Sequence, residues 1–212
     1  MASSTTVPSL DVTANALKDL GVWDDILPDV NPSQLKGVLE IKYPSGVSIY
    51  PVATPHRDEV QGEPKAYFHG ELDSNAKYTL LLTDPDLMKT NDPIDKEVRH
   101  WVQPGLSYSS STGELTSSRG PHTSFLPSAP MPMTGSHRYI FILAKESREV
   151  GVGDRDGEAD FKERLRFVAQ DFITEHGLVV VGVTAMKVAP TAEAGKDDIK
   201  LMAESAKHLV TG

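Results

Sequence analysis

The sequence contains no cysteine among its 212 residues. This absence excludes disulfide bonds, thiolate nucleophiles and cysteine-ligated zinc sites. Long apolar runs are also missing, and none approaches the roughly 20 residues needed to cross a bilayer. The start of the chain, Met1 to Pro8, has neither the basic segment nor the apolar segment of a signal peptide. We therefore expect a cytoplasmic protein without a transmembrane segment.

Positive charge is scarce as well, because 21 lysines and arginines stand against 30 aspartates and glutamates, giving a net charge of −9. Such a chain repels phosphate backbones, so we expect no binding to nucleic acid, and any bound anion must be held by a local site. The sequence also lacks a Gly-x-Ser-x-Gly elbow, a His-Glu-x-x-His motif and a phosphate-cradling glycine loop. These absences argue against an enzyme, and we expect no catalytic activity and no cofactor.

The hydrophobic pattern predicts one mostly β domain, spanning residues 12–189, with peripheral helices. Before it we expect a flexible N-terminal segment, 1–11, and after it a C-terminal amphipathic helix or tail, 190–212. Within the domain, the pattern predicts a hairpin over 38–52, a weak strand over 65–68, buried strands over 78–83, 137–145 and 178–188, and helices over 12–27 and 161–176. Residues 103–136 are rich in proline, glycine and serine and are predicted to form a long functional loop.

A tripeptide with two acids, Asp84-Pro85-Asp86, follows the apolar run that ends at Thr83. Proline fixes its own φ and biases the preceding residue toward extended geometry. In an extended tripeptide, the first and third side chains point the same way, so both carboxylates are predicted to face one cavity. The alternative is a simple turn, which Asp-Pro-Asp often forms after a strand.

A second polar group, His137-Arg138-Tyr139, opens the next apolar strand, and His100 lies between the two groups in sequence. Strand parity places His137 and Tyr139 on one face and Arg138 on the other. We therefore predict that Arg138 forms a structural salt bridge, while the imidazole and the phenol converge with the two acids and His100. Such a set could hold a divalent metal or supply an acid–base pair, as in a metal-dependent hydrolase.

The order of these motifs resembles the phosphatidylethanolamine-binding protein family. The resemblance rests on the run from Tyr78 to Asp86, then His100-Trp101, then Gly135-Ser136-His137-Arg138-Tyr139-Ile140-Phe141. It covers roughly residues 12–188. Lys42-Tyr43-Pro44-Ser45-Gly46 and His176-Gly177-Leu178 are similar to the fungal branch, which includes inhibitors of a vacuolar serine carboxypeptidase.

The resemblance implies a large central β-sheet packed on a smaller sheet, helices at the C-terminal side, and a small anion pocket. The ligand-binding residues that it implies are Asp84, Pro85, Asp86, His100, Ala129, His137 and Tyr139. No residue is assigned to catalysis or to a metal. A protonated carboxyl, an imidazolium, the Tyr139 hydroxyl and the Ala129 N–H would donate to phosphate. At the rim, Leu87 and Met88 are bulkier than is common in the family, and Pro127 removes one N–H donor.

The resemblance also implies a function as a non-catalytic, monomeric regulator in signalling. Its ligand would be phosphate, a phosphoethanolamine-type lipid headgroup or another small anion. The alternative is an inhibitor of a serine carboxypeptidase, and a protein kinase is a further candidate partner.

Overall fold

A computed structural model of the protein describes residues 7–86, 97–130, 134–151 and 161–191. The rim residues 87–90, the predicted C-terminal helix and most of the predicted N-terminal segment lie outside these ranges. Within the described ranges, no helix is long and apolar enough to cross a membrane.

The described part of the chain contains four helices and nine strands. The helices are α1 (Leu10–Asp19), α2 (Val22–Asp25), α3 (Phe161–Arg164) and α4 (Ala169–Glu175). The strands are β1 (Gly37–Lys42), β2 (Ser48–Ile49), β3 (Val52–Ala53), β4 (Lys65–Gly70), β5 (Tyr78–Asp84), β6 (Val98–Tyr108), β7 (Glu114–Thr116), β8 (His137–Glu146) and β9 (Leu178–Val188). Two single-turn 3₁₀ helices, Pro32–Gln34 and Arg57–Val60, lie in the connections.

The strands are joined in the order β2-β1-β4-β7-β6-β5-β8-β9-β3. Strand β6 pairs with β5 along most of its length and with β7 at its end, so it belongs to both halves of the sheet. The half with β5, β8 and β9 is the larger layer, and the half with β1, β2, β4 and β7 folds over it. The layers approach closely at Gly182 of β9, where an added Cβ would lie 2.7 Å from Phe68 Cε2. The predicted mostly β fold, with a large sheet packed on a smaller one, is confirmed.

The central strands are apolar on both faces because both faces are covered. Alternate residues of β8 point to opposite sides: Ile140 and Ile142 join a cluster that includes Leu17 of α1, whereas Phe141 and Leu143 join the cluster between the two layers. Strands covered on both faces need apolar residues at every position, which explains the continuous apolar runs at 78–83 and 137–145. The polar residues that end these runs, Asp84 and His137, consequently lie at one margin of a well-packed core.

The helices lie against the outer face of the larger layer. Residues predicted as one helix interrupted at Gly21 form α1 and α2, and Gly21 separates them with φ 75°. The Ser9 side chain caps α1 by accepting a hydrogen bond from the Val12 N–H at 3.3 Å. The predicted helix over 161–176 is likewise divided into α3 and α4, here because Arg166 adopts a left-handed φ of 62°. Two helices thus precede the sheet and two precede its last long strand.

The prediction of one long loop over 103–136 is wrong at its start. Strand β6 continues to Tyr108, and β7 forms within the segment. Proline and glycine usually interrupt a strand, but here Pro104 and Gly105 form a bulge: Leu80 pairs with Gln103 and Tyr78 with Leu106, so two residues face one. The φ of Gly105 is 72°, which suits the extra residue of a bulge.

Candidate functional site

The end of β5 and the start of β8 are joined by a buried carboxylate–imidazole pair. Asp84 Oδ2 lies 2.8 Å from His137 Nδ1, and the two residues are 1% and 0% exposed. Because a carboxylate only accepts hydrogen bonds, Nδ1 carries a proton and donates it to Asp84. The second oxygen, Asp84 Oδ1, accepts the backbone N–H of Asp86 at 2.8 Å. Both oxygens of this buried acid therefore have donors, which offsets the cost of burying it.

The third residue of the site, His100, is aimed by a bulge in β6. Leu82 pairs with Trp101 and the next residue, Thr83, pairs with Arg99, so His100 is the extra residue. In a regular strand His100 and Trp101 would point to opposite faces. Here Trp101 belongs to the cluster between the layers, and the His100 ring meets Tyr139 of the same cluster edge-on, with centroids 5.2 Å apart. The bulge thus turns His100 toward the other predicted site residues.

The hydrogen bonds of His100 define which of its nitrogens can meet a ligand. Nδ1 lies 2.9 Å from the Leu126 carbonyl oxygen, which can only accept, so Nδ1 donates to it. Within the described ranges, Nε2 has no hydrogen-bond partner. Burial lowers the pKa of His100, although the nearby Asp84 charge opposes that shift. In the neutral ring Nε2 is an acceptor, and it becomes a donor when the ring takes up a proton.

Tyr139 contacts both imidazoles. Its ring is stacked against His137 with centroids 6.4 Å apart, while His100 approaches it edge-on. The structure therefore brings Asp84, His100, His137 and Tyr139 together, with half-buried Pro85 directly after Asp84. Strand parity anticipated that His137 and Tyr139 share a face.

The second acid, Asp86, does not share a cavity with Asp84, and this part of the prediction is wrong. Its carboxylate forms a two-pronged pair with Arg138: Nε to Oδ2 and Nη2 to Oδ1 are both 2.9 Å. The reason is that β5 ends at Asp84, so the extended geometry that would align the two acids does not continue past Pro85. The predicted structural salt bridge of Arg138 is present, and Arg138 Nη1 also donates to the Leu20 carbonyl oxygen at 2.9 Å.

Ala129 lies in a segment that is held by β6 and by Gln61. Leu126 N–H donates to the His100 carbonyl oxygen at 2.9 Å, and the Ser128 carbonyl oxygen accepts from Gln61 Nε2 at 2.9 Å. The Ala129 N–H donates to no acceptor in the described part of the chain. It is therefore a candidate donor to a ligand, as predicted from the resemblance.

Sequence reasoning missed two residues that contact the site. Thr134 Oγ1 lies 2.6 Å from His137 Nε2. Arg164 is buried and donates to the carbonyl oxygens of His100 and Ser124, at 3.1 and 2.9 Å. Burial, together with the nearby Arg99 charge, lowers the pKa of Arg164 to about 10. The spacing of Thr134, three residues before His137, offered a weak signal, whereas nothing local to Arg164 pointed to β6.

A further buried acid, Glu97, lies close behind the site. It is 6% exposed and accepts hydrogen bonds from Thr83 Oγ1 at 2.6 Å and from the Ala169 N–H at 2.9 Å. Burial and, to a lesser degree, the charges of Asp171 and Asp84 raise the pKa of Glu97 to about 7, against the opposing effect of the hydrogen bonds from Thr83 and Ala169.

The acids and imidazoles are not gathered as metal ligands. Across the described ranges, no group of three or more histidines, aspartates and glutamates is placed to hold a metal ion. Asp84 is directed at His137, and Asp86 at Arg138.

Most of the sequence, including the site motifs, matches one known protein family. The family described as "PBP: Phosphatidylethanolamine-binding protein" matches residues 36–185, which contain all the predicted site residues and all nine described strands apart from the last three residues of β9. The chain belongs to the phosphatidylethanolamine-binding protein family.

Curated relatives include plant proteins. The chain is 34% identical over 91 residues to "CEN-like protein 1" of Nicotiana tabacum, covering 42% of this chain and 47% of that protein. It is 31% identical over 116 residues to "Protein CENTRORADIALIS" of Antirrhinum majus, covering 52% and 59%. The chain thus spans about half the length of these relatives. The resemblance to the fungal branch stays a prediction.

Solved structures share the fold. Carboxypeptidase Y inhibitor, in a crystal structure with its cognate proteinase, superposes with a TM-score of 0.71 at 20% identity, covering 85% of this chain and 96% of the inhibitor. A phosphatidylethanolamine-binding protein from Plasmodium vivax superposes with a TM-score of 0.69 at 18% identity, covering 88% and 100%. At these identities the likeness establishes the fold.

Proposed function

We propose that this protein is a non-catalytic regulator that binds phosphate or another small phosphate-like anion, such as a phospholipid headgroup. The ligand would lie against Pro85, His100, Ala129, His137 and Tyr139. The observation that carries the proposal is the buried Asp84–His137 pair, packed beside His100 and Tyr139 at the margin of the core. Burying these groups is costly, and a ligand site is a reason to retain them.

The donors of the site suit an anion even though the whole chain is acidic. His100 Nε2 and the Ala129 N–H have no described partner; the Ala129 N–H can donate to an anion, and Nε2 can do so once His100 is protonated. Both acids are engaged, Asp84 by His137 and Asp86 by Arg138, so neither carboxylate is left over for an ammonium group. The proposal therefore concerns the phosphate end of a headgroup rather than its amine.

Isothermal titration calorimetry with inorganic phosphate and phosphoethanolamine tests this proposal. The variant His100→Asn retains a donor to Leu126 but lacks Nε2, and we expect it to bind phosphate roughly tenfold more weakly. The matched control is His56→Asn, because His56 is 62% exposed and caps a 3₁₀ helix, a position where asparagine is also suitable. Equal affinities for the wild type and His100→Asn would exclude the site.

A second candidate function is inhibition of a serine carboxypeptidase. The observation that favours it is the likeness over 85% of this chain to an inhibitor whose structure contains its cognate proteinase. The test is inhibition of a serine carboxypeptidase by the full chain at micromolar concentration, with His100→Asn alongside. Inhibition by both proteins would mean that the inhibitory surface lies outside the anion site. No inhibition by either protein would exclude this second function.

The proposed location of the protein is the cytoplasm, and its proposed partners are lipid headgroups and a protein kinase. A cytoplasmic regulator would meet lipid headgroups at the inner membrane surface and would also be accessible to a kinase. Cell fractionation followed by affinity capture with the wild type and His100→Asn would identify partners whose binding depends on the anion site.

A further inference from the structure

A cleft of about 280 Å³ lies on the outer face of the larger layer, where the start of β6 meets α3 and α4. Arg99 of β6 lines this cleft together with Phe167, which belongs to the cluster beneath the helices. The ring of the next residue, His100, instead meets Tyr139 in the cluster between the layers. The cleft is therefore separate from the proposed anion site and contains none of its residues.

The guanidinium of Arg99 has few acceptors for its donors. Nη2 donates one long hydrogen bond, of 3.4 Å, to the Glu163 carbonyl oxygen. Neither Nη1 nor the buried Nε has a hydrogen-bond partner within the described ranges. An arginine can donate five hydrogen bonds, and a buried donor without an acceptor is costly. Arg99 thus keeps donors for an acceptor that reaches the guanidinium through the cleft.

Three acidic side chains line the same cleft, Glu163 of α3 and Asp171 and Glu175 of α4. All three are exposed, and in the described part of the chain none of them forms an ion pair with Arg99 or with another cation. Asp171 and Glu175 are four residues apart on one helix, so they lie on the same face of it. Opposite charges that share a cleft without pairing leave room for a ligand that carries both charges.

The backbone that forms one wall of the cleft is strained. Arg166, another lining residue, has a φ of 62°, in the left-handed region that an arginine enters at a cost. This turn allows Phe167 to exchange two backbone hydrogen bonds with Glu97, of 2.9 and 3.0 Å, and the Arg99 guanidinium lies over the Phe167 ring, 5.7 Å from its centre. Strained positions are concentrated at functional sites, and this one helps to shape the surroundings of Arg99.

We infer that this cleft binds a small zwitterion whose carboxylate pairs with Arg99 and whose ammonium group lies against Asp171 and Glu175. A guanidinium binds a carboxylate through two parallel hydrogen bonds, which gives the pairing its specificity. The three acids repel a phosphate dianion, so the ligand class differs from that of the anion site. The volume is slightly below the range of about 300–1,000 Å³ that is typical of small-molecule pockets, so we expect an amino acid or a dipeptide.

Glycine, β-alanine and γ-aminobutyrate form a probe series in which the distance between carboxylate and ammonium increases. Nitrogen-15 NMR of the backbone amides, with the full chain and millimolar probe, measures their affinities. The shifted resonances should be those of Arg99 and of residues 163–175. Acetate and methylamine each carry only one of the two charges, and we expect both to bind at least about tenfold more weakly than the best zwitterion.

Two sets of variants assign the two ends of the ligand. Arg99→Gln removes the charge and the fork and should weaken binding of the best zwitterion roughly tenfold, while Arg99→Lys, which keeps only the charge, should lie between Arg99→Gln and the wild type. Asp171→Asn should weaken binding several-fold. Its matched control, Asp24→Asn, changes an exposed acid in the first turn of another helix and should have no effect. Thermal melting of each variant verifies that the fold is retained.

His100→Asn separates this inference from the proposed function. It should bind the best zwitterion as the wild type does, even though it binds phosphate more weakly. If no zwitterion shifts the resonances of the cleft, or if acetate binds as tightly as the best zwitterion, the inference is wrong while the anion site stands. Equal affinities of the wild type, Arg99→Lys and Asp171→Asn for that zwitterion would also overturn the inference. Loss of phosphate binding alone would concern only the proposed function.

Discussion

Arg138 connects three parts of the molecule, so replacing it with methionine is a demanding test of the structure. The guanidinium pairs with both oxygens of Asp86, and Nη1 donates to the Leu20 carbonyl oxygen and to Asp25 Oδ2 at 2.7 Å. Methionine keeps much of the length and apolar stem of arginine but makes none of these four hydrogen bonds. Arg138→Met therefore removes the charge without opening a large cavity.

The expected magnitude follows from the burial of the partner. Asp86 is 3% exposed, so losing Arg138 leaves a buried carboxylate without its cation, which costs about 3–5 kcal/mol in the free energy of unfolding. Arg138→Lys keeps the charge but loses the planar fork and should cost about 1.5–3 kcal/mol. Asp25→Asn should cost less than about 1 kcal/mol, because the Asp25 side chain is 50% exposed.

Urea unfolding monitored by tryptophan fluorescence measures these differences. Trp23 lies in α2 beside the Arg138 contacts, and Trp101 lies in the core between the layers. The double variant with Arg138→Met and Asp86→Asn should be more stable than the sum of the two single changes implies, by roughly 1–3 kcal/mol. A loss below about 1 kcal/mol for Arg138→Met, or a loss equal to that of Asp25→Asn, would refute the assignment of Arg138 and Asp86 as a buried pair.

Two further predictions concern a buried acid and a strained backbone position. Because the pKa of Glu97 is raised to about 7 in the folded state, its contribution favours folding below about pH 4.5 and is lost as pH rises toward 7. Glu97→Gln should reduce the change of the free energy of unfolding with pH, measured by unfolding curves between these pH values. The amide can accept from the Ala169 N–H and donate to Thr83 Oγ1, and the Thr83 hydroxyl can still donate to the Val98 carbonyl oxygen. An unchanged dependence on pH would contradict the burial of an ionisable Glu97. Arg166→Gly should raise the free energy of unfolding by up to about 1 kcal/mol, because glycine adopts a φ of 62° without strain. The matched control, Arg166→Ala, should give no such gain. Equal effects of the two changes on the free energy of unfolding would argue against strain at this position.

The larger strands and part of the site were accessible from sequence because the signals are local. Apolar runs bounded by polar residues predicted β5, β8 and β9, and alternation within β8 correctly separated Arg138 from His137 and Tyr139. These inferences need only the two-residue period of a strand.

What could not be predicted depends on geometry between distant residues. The same two-residue period failed at Asp86, because the chain leaves β5 after Asp84 and turns. It also gave no indication that Pro104 and Gly105 would fit into β6 as a bulge. Arg164 reaches β6 from α3 across more than sixty residues of sequence, and such a contact has no signature in either segment alone.

The extra residue in β6 has a consequence for how relatives of this protein are recognised. His100 and Trp101 face the same side only because one residue is inserted relative to β5. Removing the single residue Val102 would keep His100 and Trp101 in order, but it would place His100 opposite Leu82 and turn Trp101 to the opposite face of the sheet. Two chains with identical histidine–tryptophan motifs can therefore differ in whether the imidazole and the indole share a face, and counting the residues along β6 against those along β5 is the way to tell them apart.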